Sequence, residues 1–508
     1  MTDGPCLIGV DLGTSGVKVI AVTPEGAVLA SATAYYPLYT PRPLWAEQDP
    51  IAWWEATAEA IRTVMASGLS PHRVAAVGLT GQMHGLVLLD PGGDVLRPAI
   101  LWNDQRTGAE CAAMTERIGA ERLLELTGNP VLPGFTAPKL LWVRAHEPAV
   151  FARASALLLP KDWIRYRLTG ERICDVSDAS GTSLLDVEHR RWSDEVVSAL
   201  DIPPSWLPSL VESPDVSAHV SEWAAALTGL AAGTPVVGGA GDQAAQAVGS
   251  GIVDEGLVSI TIGTSGVVFA ASNRYRRDPG GRLHAFCHAA PGLWHLMGVM
   301  LSAGGSLRWY RDALGQEEAT RAAAAGRDPY DVLLDEAAGV PAGSDGLVFL
   351  PYLSGERTPH ADPHARGVFF GLTLGHRKAH LTRAVVEGIS YGLCDSVELM
   401  RAAGIDVTRA RVSGGGARSA LWRQVLADIC RVEIATTNAD EGAAFGAALI
   451  AGAGVGLFPS VQDASRAVVR ETGLTRPGDD TDRYRTHYET FRRLYQVLAP
   501  TFRETALS

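Results

Sequence analysis

The sequence of 508 residues predicts an α/β protein made of two duplicated domains, 1–250 and 251–508, which face each other across a cleft. The chain is longer than a single hydrophobic core supports, so two or more domains are expected. An apolar strand and a Gly-Thr-Ser-Gly turn, which end at residue 16, return in a second copy that ends at residue 266. Each copy is followed by a strand that runs into a glycine turn and a helix, near residues 241 and 415. Matching motifs in matching order indicate a duplicated scaffold.

The composition is that of an ordinary globular protein, with 46% apolar and 20% charged residues. A formal net charge of −12 argues against a nucleic-acid partner held through phosphate contacts. The six cysteines are scattered without a Cys-x-x-Cys pair, which predicts buried thiols rather than a metal site or disulfides. The N-terminus lacks the features of a signal peptide and no stretch resembles a membrane span, so we expect a cytoplasmic protein with no membrane partner.

In the first half, β-branched residues and two turns predict three short antiparallel strands over 6–33. A helix is predicted over 49–68 after an Asp49 cap, and buried strands are predicted over 74–80 and 86–89. A Walker loop and a dinucleotide-binding loop are excluded, because both motifs are absent and a strand rather than a helix follows the first turn. The backbone N–H groups of the turn itself must therefore bind any phosphate.

In the second half, the uncharged stretch 256–273 is predicted to form two strands joined by the repeated turn, and another strand is expected within 344–355. The segment 388–392 matches the hydrolase pattern Gly-x-Ser-x-Gly, but it lies inside a helical pattern and is rejected as a nucleophile elbow. Aromatic and aliphatic residues from 484 to 502 recur at steps of three and four, which predicts an amphipathic terminal helix. We expect that helix to pack on its own domain, with a homodimer contact as the alternative.

The two Gly-Thr-Ser-Gly turns differ in one residue that bears on chemistry. Asp11 precedes the first turn and Lys18 follows it, whereas the second copy has Thr261 in place of the acid. Glycine turns with hydroxyl groups bind phosphate oxygens, and a carboxylate beside them requires a divalent cation such as Mg²⁺ in between. The pair of turns therefore predicts a clamp for the polyphosphate of a nucleotide, whereas either turn alone is also typical of a simple hairpin.

Asp242 follows the glycine turn of the first half and precedes a helix. Two interpretations are open for it, namely an N-cap residue and a general base that takes a proton from a substrate hydroxyl. 

The run Gln82, Met83 and His84 follows a predicted strand and combines an amide, an apolar wall and an imidazole. Asn103 and Asp104 follow the end of another apolar segment. Polar residues just past strand ends are where open α/β sheets bind ligands, so these five residues are candidates for binding a polyhydroxylated ligand. A lone loop histidine is more often structural, and for His84 both interpretations are kept.

These motifs together resemble the FGGY family of carbohydrate kinases, within the actin-like ATPase superfamily. Two blocks resemble the family motifs, 134–142 (GFTAPKLLW) and 367–372 (GVFFGL), with the second continuing through 380–381 and 384–387. Further stretches resemble the branch of the family that acts on D-xylulose, namely 81–85 (GQMHG), 100–104 (ILWND), 159–162 (LPKD), 286–288 (FCH) and 350–360 (LPYLSGERTPH). The resemblance covers the chain from about residue 6 to the final helix.

The resemblance implies two actin-like (ribonuclease H-like) domains that phosphorylate D-xylulose with ATP and Mg²⁺. The first would bind the sugar and carry the base, Asp242, with Asp11 near the metal, and the second would bind the nucleotide. The implied sugar-binding residues are Gln82, Met83, His84, Asn103, Asp104 and Gln243. The implied nucleotide-binding residues are Gly13, Thr14, Ser15, Lys18, Gly263, Thr264, Gly304, Gly414, Gly415 and Gly416.

The sequence departs from the family pattern at Gln243, where many relatives have Asn, and at Ala145, where a polar residue is usual. At Ala420 the glycerol kinase branch has an Asn near the adenine. The adenine contacts are therefore the least defined part of the implied site. Two alternatives stay open: a kinase for another ketose or polyol, such as ribulose, gluconate or arabinitol, and a non-catalytic actin-like sugar sensor.

Overall fold

The structure is a computed structural model that describes residues 4–438 and 442–506. The first half contains the following strands and helices in chain order: β1 (Cys6–Leu12), β2 (Gly16–Val22), β3 (Val28–Tyr35), β4 (Glu47–Gln48), α1 (Pro50–Met65), β5 (Val74–Gly81), β6 (Val87–Leu89), β7 (Ala99–Ile100), α2 (Gly108–Ile118), α3 (Ala120–Thr127), α4 (Thr136–His146), α5 (Pro148–Phe151), β8 (Ala156–Leu158), α6 (Pro160–Thr169), β9 (Ile173–Asp175), α7 (Val176–Ala179), β10 (Leu185–Asp186), β11 (Arg191–Trp192), α8 (Asp194–Ala199), β12 (Ser209–Val211), β13 (Val216–His219), α9 (Glu222–Thr228), β14 (Pro235–Val237), β15 (Ala240–Gly241) and α10 (Asp242–Gly249).

The second half contains β16 (Leu257–Ile262), β17 (Gly266–Ser272), β18 (His284–Cys287), β19 (Trp294–Met300), α11 (Gly304–Leu314), α12 (Gln316–Ala324), α13 (Pro329–Ala338), β20 (Val348–Leu350), β21 (Val368–Phe370), α14 (Lys378–Ala402), β22 (Arg409–Ser413), α15 (Ala420–Cys430), β23 (Glu433–Thr437), α16 (Gly442–Gly454), α17 (Val461–Val468), β24 (Glu471–Thr475) and α18 (Thr481–Ala506). Short 3₁₀ turns occur at Pro71–Arg73, Ser180–Thr182, Pro204–Trp206, Ser344–Gly346 and Gly415–Arg418.

Each half is built on a seven-stranded sheet, and the two sheets share the same central strand order. The first has the order β13-β14-β5-β1-β2-β3 with β15 also paired to β5, and the second has the order β18-β19-β17-β16-β22-β23-β24. In both sheets a hairpin (β1–β2 or β16–β17) continues into two parallel strands (β5 and β14, or β22 and β23). The duplication predicted from the repeated motifs is therefore confirmed.

Most predicted elements are present, with small shifts at their ends. The helix predicted over 49–68 is α1, and its cap is confirmed because Asp49 Oδ1 accepts a hydrogen bond from the N–H of Ile51 at 2.9 Å. Helix α14 contains 388–392, so rejecting a nucleophile elbow there was correct. Within 344–355 only β20 is strand, because the preceding residues form a 3₁₀ turn.

The terminal helix α18 packs on the second half, as predicted. Tyr484 is almost completely buried, and its hydroxyl donates to Glu387 at 3.0 Å and accepts from Arg383 at 2.6 Å. Tyr488, one turn further on, donates to Asp395 at 2.6 Å. The dimer contact stays untested. All six cysteines are buried and carry free thiols, also as predicted.

Helix α16 belongs to the second half of the sequence but packs on the first sheet. A Cβ atom added to Gly9 of β1 or to Gly78 of β5 would lie about 2.0 Å or 1.9 Å from carbonyl oxygens of α16. A Cβ atom added to Gly446 of α16 would lie 1.8 Å from the carbonyl oxygen of Ala245 in α10. Backbones approach this closely only where glycine removes the side chain. Helices α10 and α16 thus form the core between the halves.

No helix in the described parts of the chain, 4–438 and 442–506, has the length and apolar character needed to cross a membrane.

Candidate active site

The carboxyl ends of three adjacent parallel strands bring the two predicted acids together. Asp11 of β1 is in register with Thr80 of β5, and Thr80 is in register with Ala240 of β15. Asp242 follows two residues later as the first residue of α10. Parallel strands end at the same edge of a sheet, so Asp11 and Asp242 lie at one edge of the first sheet.

Asp242 has the electrostatics of a base that works near neutral pH. Burial, and then the charge of Asp11, raise its pKa to about 7, against hydrogen bonds from Gln243 that lower it. The N-cap interpretation of Asp242 is wrong, since Gly241 occupies that position and needs no side chain to do so. A carboxylate whose pKa lies near the working pH is suited to accept a proton.

Asp11 is the candidate metal ligand. Burial raises its pKa to about 6, while Lys18, its cross-strand neighbour on β2, lowers it. The hydroxyl of Thr80 is buried beside Asp11 and has no hydrogen-bond partner among the described residues. Nowhere in 4–438 or 442–506 do three His, Cys, Asp or Glu side chains form a metal-binding cluster. Mg²⁺ in nucleotide sites needs one or two carboxylates besides water and phosphate oxygens, so this donor set fits it.

The first glycine turn is held rigidly from both sides. The N–H of Gly13 bonds to the carbonyl of Gly16 at 3.0 Å, and the Gly13 carbonyl accepts from the hydroxyl of Tyr36. The Thr14 hydroxyl donates to Gln82 at 3.2 Å and accepts from the indole of Trp102 at 3.0 Å. These bonds fix the direction in which the turn's remaining polar groups point.

Ser15, which lies between Thr14 and Gly16 in the turn, is exposed. Gln82 is 2% exposed, and its amide nitrogen donates to Gln48 at 2.9 Å. The amide of Gln48 in turn donates to the Thr14 carbonyl at 2.7 Å, and its oxygen accepts from Trp53 at 3.0 Å. Gln48 was not found from the sequence, because its partners lie far along the chain. Gln82 therefore supports the turn, and sugar binding by its amide stays a prediction.

Met83 and His84 sit in an apolar pocket next to the base. Met83 packs with Phe135, and a Cβ atom added to Gly241, the residue before the base, would lie 2.8 Å from Met83 Sδ. The His84 ring stacks on Phe135 with centroids 4.6 Å apart. Met83 therefore lies beside both the His84 pocket and the residue that precedes Asp242.

His84 is held in one orientation and one charge state. Its Nδ1 lies 2.7 Å from the carbonyl oxygen of Gly181, and its φ of +71° is in the left-handed region. Burial lowers the pKa of His84 to about 3, so the ring is neutral near pH 7. Because the Gly181 carbonyl can only accept, Nδ1 carries the proton and Nε2 is left as an acceptor for a ligand hydroxyl.

Lys139, from the first family block, supports this loop from behind. Its ammonium donates to the carbonyl oxygens of His84 at 2.8 Å and Gly134 at 2.7 Å. The side chain is fully buried, and burial lowers its pKa well below the usual value. Lys139 therefore fixes the backbone that carries His84 and has no exposed charge for a ligand.

Asn103 and Asp104 are not brought to His84 in the same way. Asp104 is completely buried, and its oxygens bond to Arg106 at 2.7 Å and to the N–H of Ala46 at 2.7 Å. Asn103 lines a separate pocket with residues 40–46, and its buried side-chain oxygen has no partner among the described residues. Asp104 thus has a structural role, and ligand binding by either residue stays a prediction.

The second half contributes a cavity of about 380 Å³. Its lining includes five of the predicted nucleotide-binding residues: Gly263, Thr264, Gly304, Gly415 and Gly416. The N–H of Gly304 bonds to the Gly263 carbonyl at 2.8 Å, and a Cβ atom added to Gly304 would lie 2.5 Å from that oxygen. Gly414 has a φ of +84° and lines the adjoining pocket. A glycine-lined cavity at the start of a helix, α11, suits the phosphates of a nucleotide.

Comparison with known proteins agrees with the sequence resemblance. The model of the FGGY family of carbohydrate kinases, N-terminal domain, matches residues 6–249, and that of the C-terminal domain matches residues 258–455. The chain is 44% identical to the xylulose kinase of Escherichia coli (strain K12) over 97% of this chain and 99% of that protein. It is 39% identical to the xylulose kinase of Bacillus subtilis (strain 168), covering 96% of each chain.

The solved structures also match over nearly the whole chain. The xylulose kinase from Rhodospirillum rubrum has a TM-score of 0.91 and 35% identity, covering 98% of this chain and all of that one. The two-domain fold of the actin-like sugar kinases, expected from the sequence, is therefore confirmed. With both family models matched in order and relatives of this similarity over the full length, the chain belongs to the FGGY family of carbohydrate kinases.

Proposed function

We propose that the protein transfers the γ-phosphoryl group of ATP to D-xylulose, giving D-xylulose 5-phosphate and ADP. The observation that carries this proposal is Asp242, a carboxylate with a pKa of about 7 between the Met83–His84 pocket and Asp11. The relatives of 38–44% identity that are named xylulose kinases support the choice of sugar.

Asp242 acts as the general base in this proposal. Its carboxylate takes the proton of the terminal sugar hydroxyl as that oxygen attacks the γ-phosphorus in line. The neutral His84 accepts a hydrogen bond from another hydroxyl through Nε2, and Met83 supplies an apolar wall. Phosphoryl transfer depends mostly on positioning and on stabilising charge. Mg²⁺ bound near Asp11 would neutralise phosphate charge.

We propose that the two domains, 1–250 and 251–508, divide the work. The first would carry the sugar site and the base, and the second would bind ATP through Gly263, Thr264, Gly304 and 414–416. The family models, which meet between residues 249 and 258, support this boundary. Helix α16 is an exception to this boundary, because it belongs to the second half of the sequence but packs on the first sheet. The first turn, 13–15, and Lys18 would contact the phosphates from the opposite side.

The alternatives from the sequence receive no specific support. A non-catalytic sugar sensor would be free to lose one of the two acids, yet Asp11 and Asp242 are both present and adjacent. Other ketoses or polyols stay as minor substrates to be tested. A cytoplasmic location and a homodimer stay predictions.

The test is a coupled assay of ADP release with Mg-ATP over D-xylulose, D-ribulose, D-arabinitol and gluconate. Asp242→Asn should lower kcat by about 100-fold or more, because a general base contributes about 10²–10⁴-fold. Asp194→Asn is the matched control, since Asp194 is also the first residue of a helix but is exposed. Absence of sugar-stimulated ADP release from the wild type, or full activity of Asp242→Asn, would refute the proposal.

A further inference from the structure

One short segment, 175–182, contacts the backbone before Asp242, the side chain of His84 and the second half of the chain. We call it the linking segment; it comprises the end of β9, helix α7 and the 3₁₀ turn that follows. Asp175, Ser177 and Ser180 in it are buried, and none belongs to the binding sets described above. Its polar contacts run in four directions: ion pairs to a buried lysine, and hydrogen bonds to the backbone before Asp242, to His84 and to β18 of the second half.

A buried ionic cluster fixes the first end of the linking segment. Lys161 Nζ lies 2.5 Å from Asp162, 2.9 Å from Asp175 and 3.2 Å from Asp178, and all four side chains are fully buried. Burial alone would lower the pKa of Lys161, but the three carboxylates raise it well above its usual value. Burial and the neighbouring acids raise the pKa of Asp178. Such a cluster persists only where its geometry is closely determined.

Ser177 connects this ionic cluster to the backbone that precedes Asp242. Its hydroxyl donates to Asp175 Oδ2 at 2.5 Å, because the carboxylate can only accept. The hydroxyl oxygen therefore keeps its lone pairs, and it accepts a hydrogen bond from the N–H of Gly241 at 3.1 Å. Gly241 precedes Asp242, so this bond fixes the backbone from which the base projects.

The far end of the linking segment reaches the sugar pocket and the second half. The Gly181 carbonyl accepts from His84 at 2.7 Å. The Ser180 hydroxyl accepts from the N–H of Cys287 in β18 at 3.0 Å. Ser177 and Gly181 lie four residues apart in the linking segment. Ser177 therefore holds the backbone beside the base, and Gly181 holds the imidazole of His84.

We propose that Ser177 is a positioning residue, and that the linking segment, anchored by Lys161, sets the distance between Asp242 and His84. The inference rests on the proposed kinase function. Its consequence is specific: disturbing Ser177 lowers the rate of phosphoryl transfer to the sugar and leaves ATP binding unchanged, since the linking segment does not line the nucleotide cavity.

The test uses the full chain and compares Ser177→Ala with wild type. Ser177→Ala should lower kcat for D-xylulose about tenfold, a part of what a general base contributes, with the KM for ATP unchanged. Ser177→Thr keeps the hydroxyl and should recover most of kcat. Ser390→Ala is the control, because Ser390 is equally buried but bonds only within α14.

Hydrogen exchange at the Gly241 amide gives a second readout that needs no substrate. It should speed up in Ser177→Ala and not in Ser390→Ala. If Ser177→Ala does not fold, Ser177→Cys, which keeps the size but accepts only weakly, takes its place. Wild-type kcat and unchanged Gly241 exchange in the folded variant would overturn the inference. A wild type without sugar-stimulated ADP release would refute the proposed function alone, since the exchange measurement still reports on Ser177.

Discussion

Gly181 offers a direct test of whether the position of His84 controls sugar binding. Gly181→Ala is compatible with the local backbone, but the new Cβ atom would lie 2.5 Å from His84 Nδ1 and 2.6 Å from His84 Cε1. An ordinary contact between such atoms is about 3.4 Å or longer, so the ring must move by about 1 Å. The bond from Nδ1 to the Gly181 carbonyl would be lost in that movement.

The magnitude follows from how sharply catalysis depends on placement. A displacement of about 1 Å in a positioning group costs about 100-fold in rate, or about 2.7 kcal/mol of transition-state stabilisation. We therefore expect kcat/KM for D-xylulose to fall about 100-fold in Gly181→Ala. The KM for ATP should not change, because neither residue lines the nucleotide cavity.

Initial rates of ADP release, measured with each substrate varied in turn, provide the assay. The control is Gly108→Ala at the start of α2, where an added Cβ atom meets no other atom within 4 Å. Thermal melting establishes that each variant is folded at the assay temperature. Wild-type kcat/KM for D-xylulose in folded Gly181→Ala would refute the role given to His84. A matched loss for both substrates would do the same, since it indicates a general defect.

Two further predictions concern stability. Gly446→Ala should destabilise the fold by about 1–3 kcal/mol or more, because its Cβ atom would lie 1.8 Å from a backbone oxygen of α10; denaturant unfolding measures this, with Gly108→Ala again as control. Burial lowers the pKa of His288 to about 4, so its contribution to stability is complete above the unfolded value near 6.5 and is lost as the pH falls. Between pH 7.5 and pH 5 the free energy of unfolding should fall by about 2 kcal/mol for this residue, and His288→Phe should remove that part of the slope. A slope unchanged by His288→Phe would contradict the assignment.

The sequence predicted the hairpins and glycine turns well, because their signals are local. A turn of Gly-Thr-Ser-Gly between β-branched runs determines two strands by itself, and its repetition determined the duplicated fold. The role of Asp242 at the start of α10 was harder to predict. The sequence could not separate an N-cap from the first helical residue at Asp242, because the preceding Gly241 can occupy the cap without a side-chain bond.

Residues that support the site were missed because their partners are distant in the chain. Gln48 bonds to Gln82 and Ser177 to Gly241, and such pairs leave no periodic pattern in the sequence. Helix α16 was missed for another reason. It is apolar on all faces, which is typical of a helix buried on every side, but that pattern does not say which sheet it covers. Its packing on β1 and β5 depends on Gly9 and Gly78, which in sequence look like ordinary strand glycines.

The two copies of the turn differ in how their polar groups are satisfied. In the second sheet Thr261 is in register with Ser413, just as Asp11 is with Thr80 in the first. The hydroxyls of Thr261 and Ser413 bond to each other at 3.0 Å, and Thr261 also accepts from Gln246 of α10 at 3.3 Å.

Thr261 and Ser413 therefore satisfy each other by this hydrogen bond. The bond from Gln246 to Thr261 joins the second turn to α10, the helix that begins at Asp242. In the first sheet the corresponding hydroxyl, on Thr80, has no partner in the described chain, and it lies beside a carboxylate. A buried hydroxyl left unbonded is costly, so a bound ligand that supplies a partner recovers that cost. The equivalent pair of residues is therefore hydrogen-bonded to itself in the second half, whereas in the first half the Thr80 hydroxyl is left without a partner in the described chain. Helix α10 begins at Asp242 and bonds to Thr261 through Gln246, so the candidate base is anchored to the half whose turn has Thr261 in place of the acid.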